Sequence, residues 1–194
     1  LTFPRDGTIE LSGEPVFVAS DVTLDARGVD VIITGFGLRF EDVENVILLN
    51  LAFVDIDDPT GGDALQIIRS SRIVIWHCRF DNGGLDFVPD IPDEQISVIL
   101  GSTDITIAWS RFENHDKVLL FGNGDAPAEV DAEIRVTLHH NWFENTGRRH
   151  PLLRHDQVDM FNNTIRSWRP YLAMSYGSRS QAEGELLIER NLYD

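Results

Sequence analysis

The chain has 194 residues, with 32 acidic against 16 basic side chains and a formal net charge of −16. That length buries a real core, while so acidic a balance argues against nucleic acid, whose phosphates need a basic face. No apolar run approaches the ~18 residues of a membrane span, and the lone Cys78 excludes an intrachain disulfide. A soluble chain without a membrane or nucleic-acid partner is therefore expected.

The opening stretch "LTFPRDGTIEL" already reads as strand, with no charged-then-apolar leader, so a processed or trimmed mature chain is as compatible with it as a cytosolic one. From residue 45 a nine-residue frame recurs: "NVILLNLAF" (45–53), "RIVIWHCRF" (72–80), "DITIAWSRF" (104–112), "RVTLHHNWF" (135–143), "QVDMFNNTI" (157–165) and "ELLIERNLY" (185–193). Its second and fourth positions are always apolar, the mark of a strand with one buried face. The ninth holds Phe53, Phe80, Phe112, Phe143, Ile165 and Tyr193, and the seventh ends in Asn141, Asn163 and Asn191. Side chains returning at one place imply stacked coils in which rings pack on rings and amides bond to amides.

Further strands precede most copies: "GDALQII", "EQISVIL", "DKVLLFG" and "PYLAMSY". Two or more strands per turn of 22 to 32 residues predict an all-β fold, a single-stranded right-handed parallel β-helix, running as one solenoid domain over 1–194. A β-sandwich would need hairpin turns, and Asn-Gly or Asp-Gly pairs are sparse. The longest connections, 54–62, 81–93 and 123–134, mark the face where a solenoid keeps its binding surface.

Chemistry concentrates beside these connections. "GGDALQI" carries Asp63, "DEQISV" carries Asp93 and Glu94, and "NHDKVLLFG" carries His115, Asp116 and Lys117. "NTGRRHPLLRHD" (145–156) then gathers Arg148, Arg149 and Arg154 in an otherwise acidic chain. Arginine donates five hydrogen bonds and accepts none, so this cluster points to a polyanion. The bland alternative is surface arginines paired with acids such as Glu144 and Asp156. His139 and His140 offer a metal pair, but adjacent residues on a strand point to opposite faces, so one inward histidine in a polar stack is expected instead. Trp109 and Trp142 fall within the core repeats, and the three asparagines read as structural.

"GSTDITIAWSRFENHDKVLLFG", "RVTLHHNWFENTGRRHPLLR" and "VDMFNNTIRSW" resemble the pectate lyase and pectin lyase superfamily, polysaccharide lyase family 1. The N-terminal coils are similar to that family's opening coils. The resemblance implies a β-helix enzyme, secreted and monomeric, that cleaves polygalacturonate by β-elimination. Around Pro151 the family pattern puts the catalytic arginines on Arg149 and Arg154, and its "HDK" lysine on Lys117. Arg149 would take the C5 proton while Lys117 and Arg154 hold carboxylates, with Arg148 and His115 as further substrate contacts. Cations fixed around that carboxylate stabilise the charge that develops as the proton leaves. An arginine base must be neutral to act, and desolvation with neighbouring cations pushes that way.

The resemblance also implies calcium, bound by Asp63, Asp93 and Glu94. The family's acid set is incomplete, since Gly61 and Ser97 stand where two acids are expected and Trp76 replaces an Asp before its histidine. Backbone and substrate oxygens would fill the six to eight places calcium prefers. The chain stops one coil after "RSW", where family members continue, as a trimmed or minimal version would. The gaps leave room for a pectin lyase acting without calcium on methyl-esterified pectin, a carbohydrate-binding module without catalysis, or a hydrolase using paired acids.

Overall fold

The computed structural model describes residues 1–58, 62–83, 93–124, 134–167 and 176–194. Among them, short strands form three parallel sheets of eight, seven and seven strands. Consecutive strands fall in different sheets, and each pairs with the strand one coil before and one coil after it. This is a parallel β-helix. One coil runs from Thr103–Ala108 in the third sheet to Arg111–Lys117 in the first and Leu119–Phe121 in the second. No helix among the described residues is long and apolar enough to cross a membrane.

The nine-residue frame is not one strand, as its alternation suggests, but two strands joined by a bend. Its first part lies in the third sheet and its last two residues in the first. The sixth position is the bend itself. Asn50, His77, Trp109, His140, Asn162 and Arg190 all hold φ between 53° and 59° there. Left-handed backbone is unfavourable for residues with a Cβ, so the surrounding structure must hold it. The seventh position does so by hydrogen bonding between coils. Cys78 N donates to Ser110 Oγ (3.2 Å), Ser110 N to Asn141 Oδ1 (3.0 Å), Asn141 N to Asn163 Oδ1 (2.9 Å) and Asn163 N to Asn191 Oδ1 (2.8 Å). The amide nitrogens of Asn141, Asn163 and Asn191 donate in turn to the carbonyls of Ile107, Leu138 and Met160. Every member is satisfied, which is what makes polar groups tolerable inside a coil.

The ninth position lines the core. Phe53, Phe80, Phe112 and Phe143 stack with centroids 5.1, 5.0 and 4.9 Å apart and ring planes within 14° of parallel. That spacing is the ~4.8 Å between neighbouring strands, so register in the first sheet and ring stacking enforce each other. The second and fourth positions, such as Ile73, Ile75, Ile105 and Ile107, close the core from the third sheet.

Candidate active site

Between the first and second sheets the chain turns a corner, after the strands ending at Ile56, Asp81 and Lys117 and before those starting at Leu65, Ile96 and Leu119. Backbone bonds fix the corner from coil to coil. Ala64 N donates to Glu94 O (3.2 Å), Gln95 N to Lys117 O (3.3 Å) and Leu119 N to Arg149 O (2.9 Å). The coils carrying Asp63, Asp93–Glu94, Lys117 and Arg149 are thus stacked at one edge. Residues spread over eighty-odd positions of sequence become neighbours because they occupy the same place in successive turns.

Asp63 is the buried floor of this cluster. It accepts hydrogen bonds from Glu94 N (2.9 Å) and from the hydroxyl of Ser97. Burial pushes its carboxyl up to about 7 against the pull of the Ser97 bond, and the Asp93 charge adds to the rise while Lys117 and Arg149 oppose it. One oxygen each of Asp63, Asp93 and Glu94 lies within 4.8 Å of the others. Ser97 therefore does not leave a gap where the sequence pattern expects an acid. Its hydroxyl satisfies Asp63 instead.

Two of the three cations expected to do chemistry, Lys117 and Arg149, are held by the same acidic dipeptide. Lys117 Nζ lies 2.5 Å from Asp93 Oδ1, and the Arg149 guanidinium is in direct contact with Glu94. Arg149 has a left-handed backbone (φ 64°) immediately after the strand Trp142–Arg148, which turns its side chain to the corner. Its nearest ionic contact is a carboxylate, not the neighbouring cations expected from sequence. Arg148 sits in register beside Lys117 and pairs with Asp116 at 3.0 Å. Arg148 and Arg149 thus pair with Asp116 and Glu94 rather than standing as bare surface cations, while Glu144, one partner the bland reading supplied, lies 3.9 Å from Arg111.

His115 points to the backbone of the corner. It is buried, its Nε2 donates to the Asp93 carbonyl at 2.6 Å, and burial pushes the imidazole down to about 4. It steadies the backbone that presents Asp93 and Glu94. Arg154 stands apart, at the far end of the second-sheet strand Leu152–Arg154, and is not among the charges acting on Asp63. Gly122 (φ 81°) lies against it, where a Cβ would meet the Arg154 carbonyl at 2.4 Å.

Other expectations resolve differently. Gly61 and most of "PYLAMSY" lie outside the described residues. Trp109 is not in the core but 44% exposed, because it occupies a bend. Neither His139 nor His140 is inward, because the bend at His140 breaks the strand alternation that would send one of them inside. Asn141, Asn163 and Asn191 are structural as expected. A separate groove of about 570 Å³ on the third sheet is lined by Asp104, Arg135, Asp159 and Glu185 among others. Its Asp104 already pairs with Arg135 at 3.2 Å, and that sheet does not border the corner.

Comparison with known proteins gives one consistent family. A family profile described as pectate lyase matches residues 11–194. The chain is similar to a pectate trisaccharide-lyase of Thermotoga maritima, 35% identical over 168 residues, covering 81% of this chain and 43% of the relative. A probable pectate lyase of Solanum lycopersicum is 32% identical over all of this chain and 53% of its own. Among solved structures, the major allergen of cedar pollen superposes with a TM-score of 0.80 at 29% identity, covering 96% of this chain and 56% of that one. A thermostable pectate lyase gives 0.77 at 29% identity, covering 92% and 49%. The chain spans about half the length of the curated relatives it matches.

Proposed function

As the chain belongs to the pectate lyase family, we propose that it cleaves de-esterified polygalacturonate by β-elimination at the corner of Asp63, Asp93, Glu94, Lys117 and Arg149. The observation that carries this reading is the convergence of three carboxylates and two cations from successive coils onto one edge. In the reaction the C5 proton leaves to a base, the C4–O bond breaks with its electron pair going to the glycosidic oxygen, and a C4=C5 double bond remains. The leaving oxygen takes up a proton.

Arg149 is the base in this reading, and Lys117 holds the carboxylate on the same sugar. Arg149 faces the sugar only when Glu94 turns from it toward Asp63 and Asp93, where the three carboxylates converge. Arg148, held by Asp116, adds positive potential beside Lys117. Arg154 contacts a neighbouring uronate along the second sheet. His115 acts through the Asp93 backbone.

The three acids fit calcium. Their oxygens are hard donors and all lie within 4.8 Å of one another, close enough to meet one ion at Ca–O bonds of roughly 2.4 Å. Asp63, buried beside Asp93, is a carboxyl in need of positive charge. Calcium held there supplies fixed charge against the uronate carboxylates. A polymer substrate cannot enter a cell intact, so the enzyme is proposed to be secreted.

The test is incubation with polygalacturonate and with highly methylated pectin, each with calcium or EDTA, following ultraviolet absorbance of unsaturated ends, with an Arg149→Lys control. Unsaturated product from polygalacturonate with calcium is expected. Product from methylated pectin in EDTA would show pectin lyase action instead. Saturated reducing ends would show hydrolysis. Binding without product would leave a carbohydrate-binding module.

A further inference from the structure

The bend between the third and first sheets, a different edge from the acid–cation corner, carries a cluster of aromatic rings that the proposed reaction does not use. His139 ends the strand Arg135–His139 and His140 is the left-handed bend residue. That backbone conformation puts two successive side chains on the same side of the coil. Their rings meet at 88° with centroids 5.1 Å apart, and the two Nδ1 atoms are 2.9 Å from each other.

Neighbouring coils clamp both rings. His139 lies flat on Phe161 (5.2 Å, 8°) and edge-on to Trp76 (6.0 Å, 74°). Trp76 reaches it because the residue between them in register is the small Ala108. His140 lies flat on Trp109 (4.4 Å, 12°), whose other face stacks on His77 (6.0 Å, 6°). These contacts use ring faces and leave the nitrogens free to be aimed. Among the described residues, the only hydrogen-bond partner of either Nδ1 is the other.

Two nitrogens bound in cis to one metal at about 2.05 Å, 90° apart, lie about 2.9 Å from each other. The observed separation therefore equals the bite of a chelate. We propose that His139 and His140 form a surface site for a divalent transition-metal ion, above all Cu²⁺, bound through both Nδ1 atoms with water in the remaining positions. Burial, with the His140 ring beside it, pushes His139 below the ordinary histidine range, which favours the neutral ligand. On binding, the proton shared between the two Nδ1 atoms moves through solvent to an Nε2, and both rings stay neutral. Imidazole nitrogens select Cu²⁺, Ni²⁺ or Zn²⁺ over calcium, and among these Cu²⁺ binds most tightly and prefers a tetragonal arrangement. The stacking clamps hold the rings in place before the ion arrives, so little ordering is left to do on binding.

The test is titration of the whole chain with cupric chloride in excess calcium, read by tryptophan fluorescence and electron paramagnetic resonance. Trp109 and Trp76 touch the two ligand rings, so partial quenching that saturates at one equivalent is expected, with two nitrogens coupled to the copper in the wild-type spectrum. His139→Asn or His140→Asn should each weaken binding by roughly tenfold to a hundredfold or more. No saturable binding below millimolar copper would overturn the proposal. So would a spectrum with a single coupled nitrogen, or binding that survives both ligand variants. The wild-type spectrum does not depend on how any variant folds, and none of these readouts depends on pectate cleavage.

Discussion

At the scale of single residues, the acid–cation corner is a set of charges that already neutralise one another. Asp93 holds Lys117 and Glu94 holds Arg149, so substrate and metal must compete with internal partners. Removing the proposed base is expected to cost two to four orders of magnitude in rate. Arg149→Lys should therefore lower kcat on polygalacturonate by roughly 10²–10⁴ with little change in melting temperature, as followed by absorbance of unsaturated ends. Ser97 makes a sharper case, since its hydroxyl stands in for an acid by satisfying Asp63. Ser97→Asp should tighten calcium binding in calorimetry and lower the melting temperature in EDTA, because it exchanges a donor for a second buried carboxylate. If calcium affinity is unchanged, Asp63 and its neighbours are not the metal site.

At the scale of elements, bends matter more than strands. Alternation marks the buried face of the strands but not where they end, and the coil closes only where a left-handed residue is stabilised by the amide ladder inside it. Asn163 accepts from Asn141 N and Nδ2 and donates to the carbonyls of Leu138 and Phe161. Asn163→Ala leaves several of these groups unsatisfied at a cost of about 1–3 kcal/mol each. A loss of roughly 2–5 kcal/mol in urea unfolding is expected. Asn191→Ala, at the last coil and half-exposed, should cost clearly less. Equal losses would mean that the ladder is not what holds the bends.

At the scale of the whole molecule, three buried groups among the described residues, Asp63, His115 and His150, are shifted within the range of pH 3 to 7 and bear on the dependence of stability on pH. Asp63 is raised from 3.8 to about 7, so the folded state holds its proton more tightly than the unfolded chain. Its contribution is complete below pH ~4 and is lost as pH rises to 7, an effect on the order of a few kcal/mol. His115 and His150 are lowered from 6.5 to about 4 and about 3 by burial. They work in the opposite direction: their contribution is complete above pH ~6.5 and is lost as pH falls toward 4 and 3. In EDTA the melting temperature should therefore fall on acidification below pH 6. Calcium, by replacing the Asp63 proton, should raise the melting temperature more at pH 8 than at pH 5. An equal calcium effect at both pH values would sever Asp63 from the metal.

The β-helix was legible in the sequence because a solenoid repeats a local pattern: alternating apolar positions, a recurring Phe and a recurring Asn are each a property of short stretches. Asp63, Asp93, Glu94, Lys117 and Arg149 were legible one by one, as charged side chains beside long connections and in motifs resembling a family. Their pairing was not. Which acid faces which cation depends on how coils of 22 to 32 residues align, and that register is set by contacts between turns, not within them. The same holds for His139 and His140, whose alternation on a strand predicted opposite faces. A single left-handed residue, held by hydrogen bonds and ring stacking from adjacent coils, put them on the same one. Sequence by itself determined the fold and the inventory of chemistry; tertiary structure alone decided who meets whom, because contact between distant residues is a property of stacking.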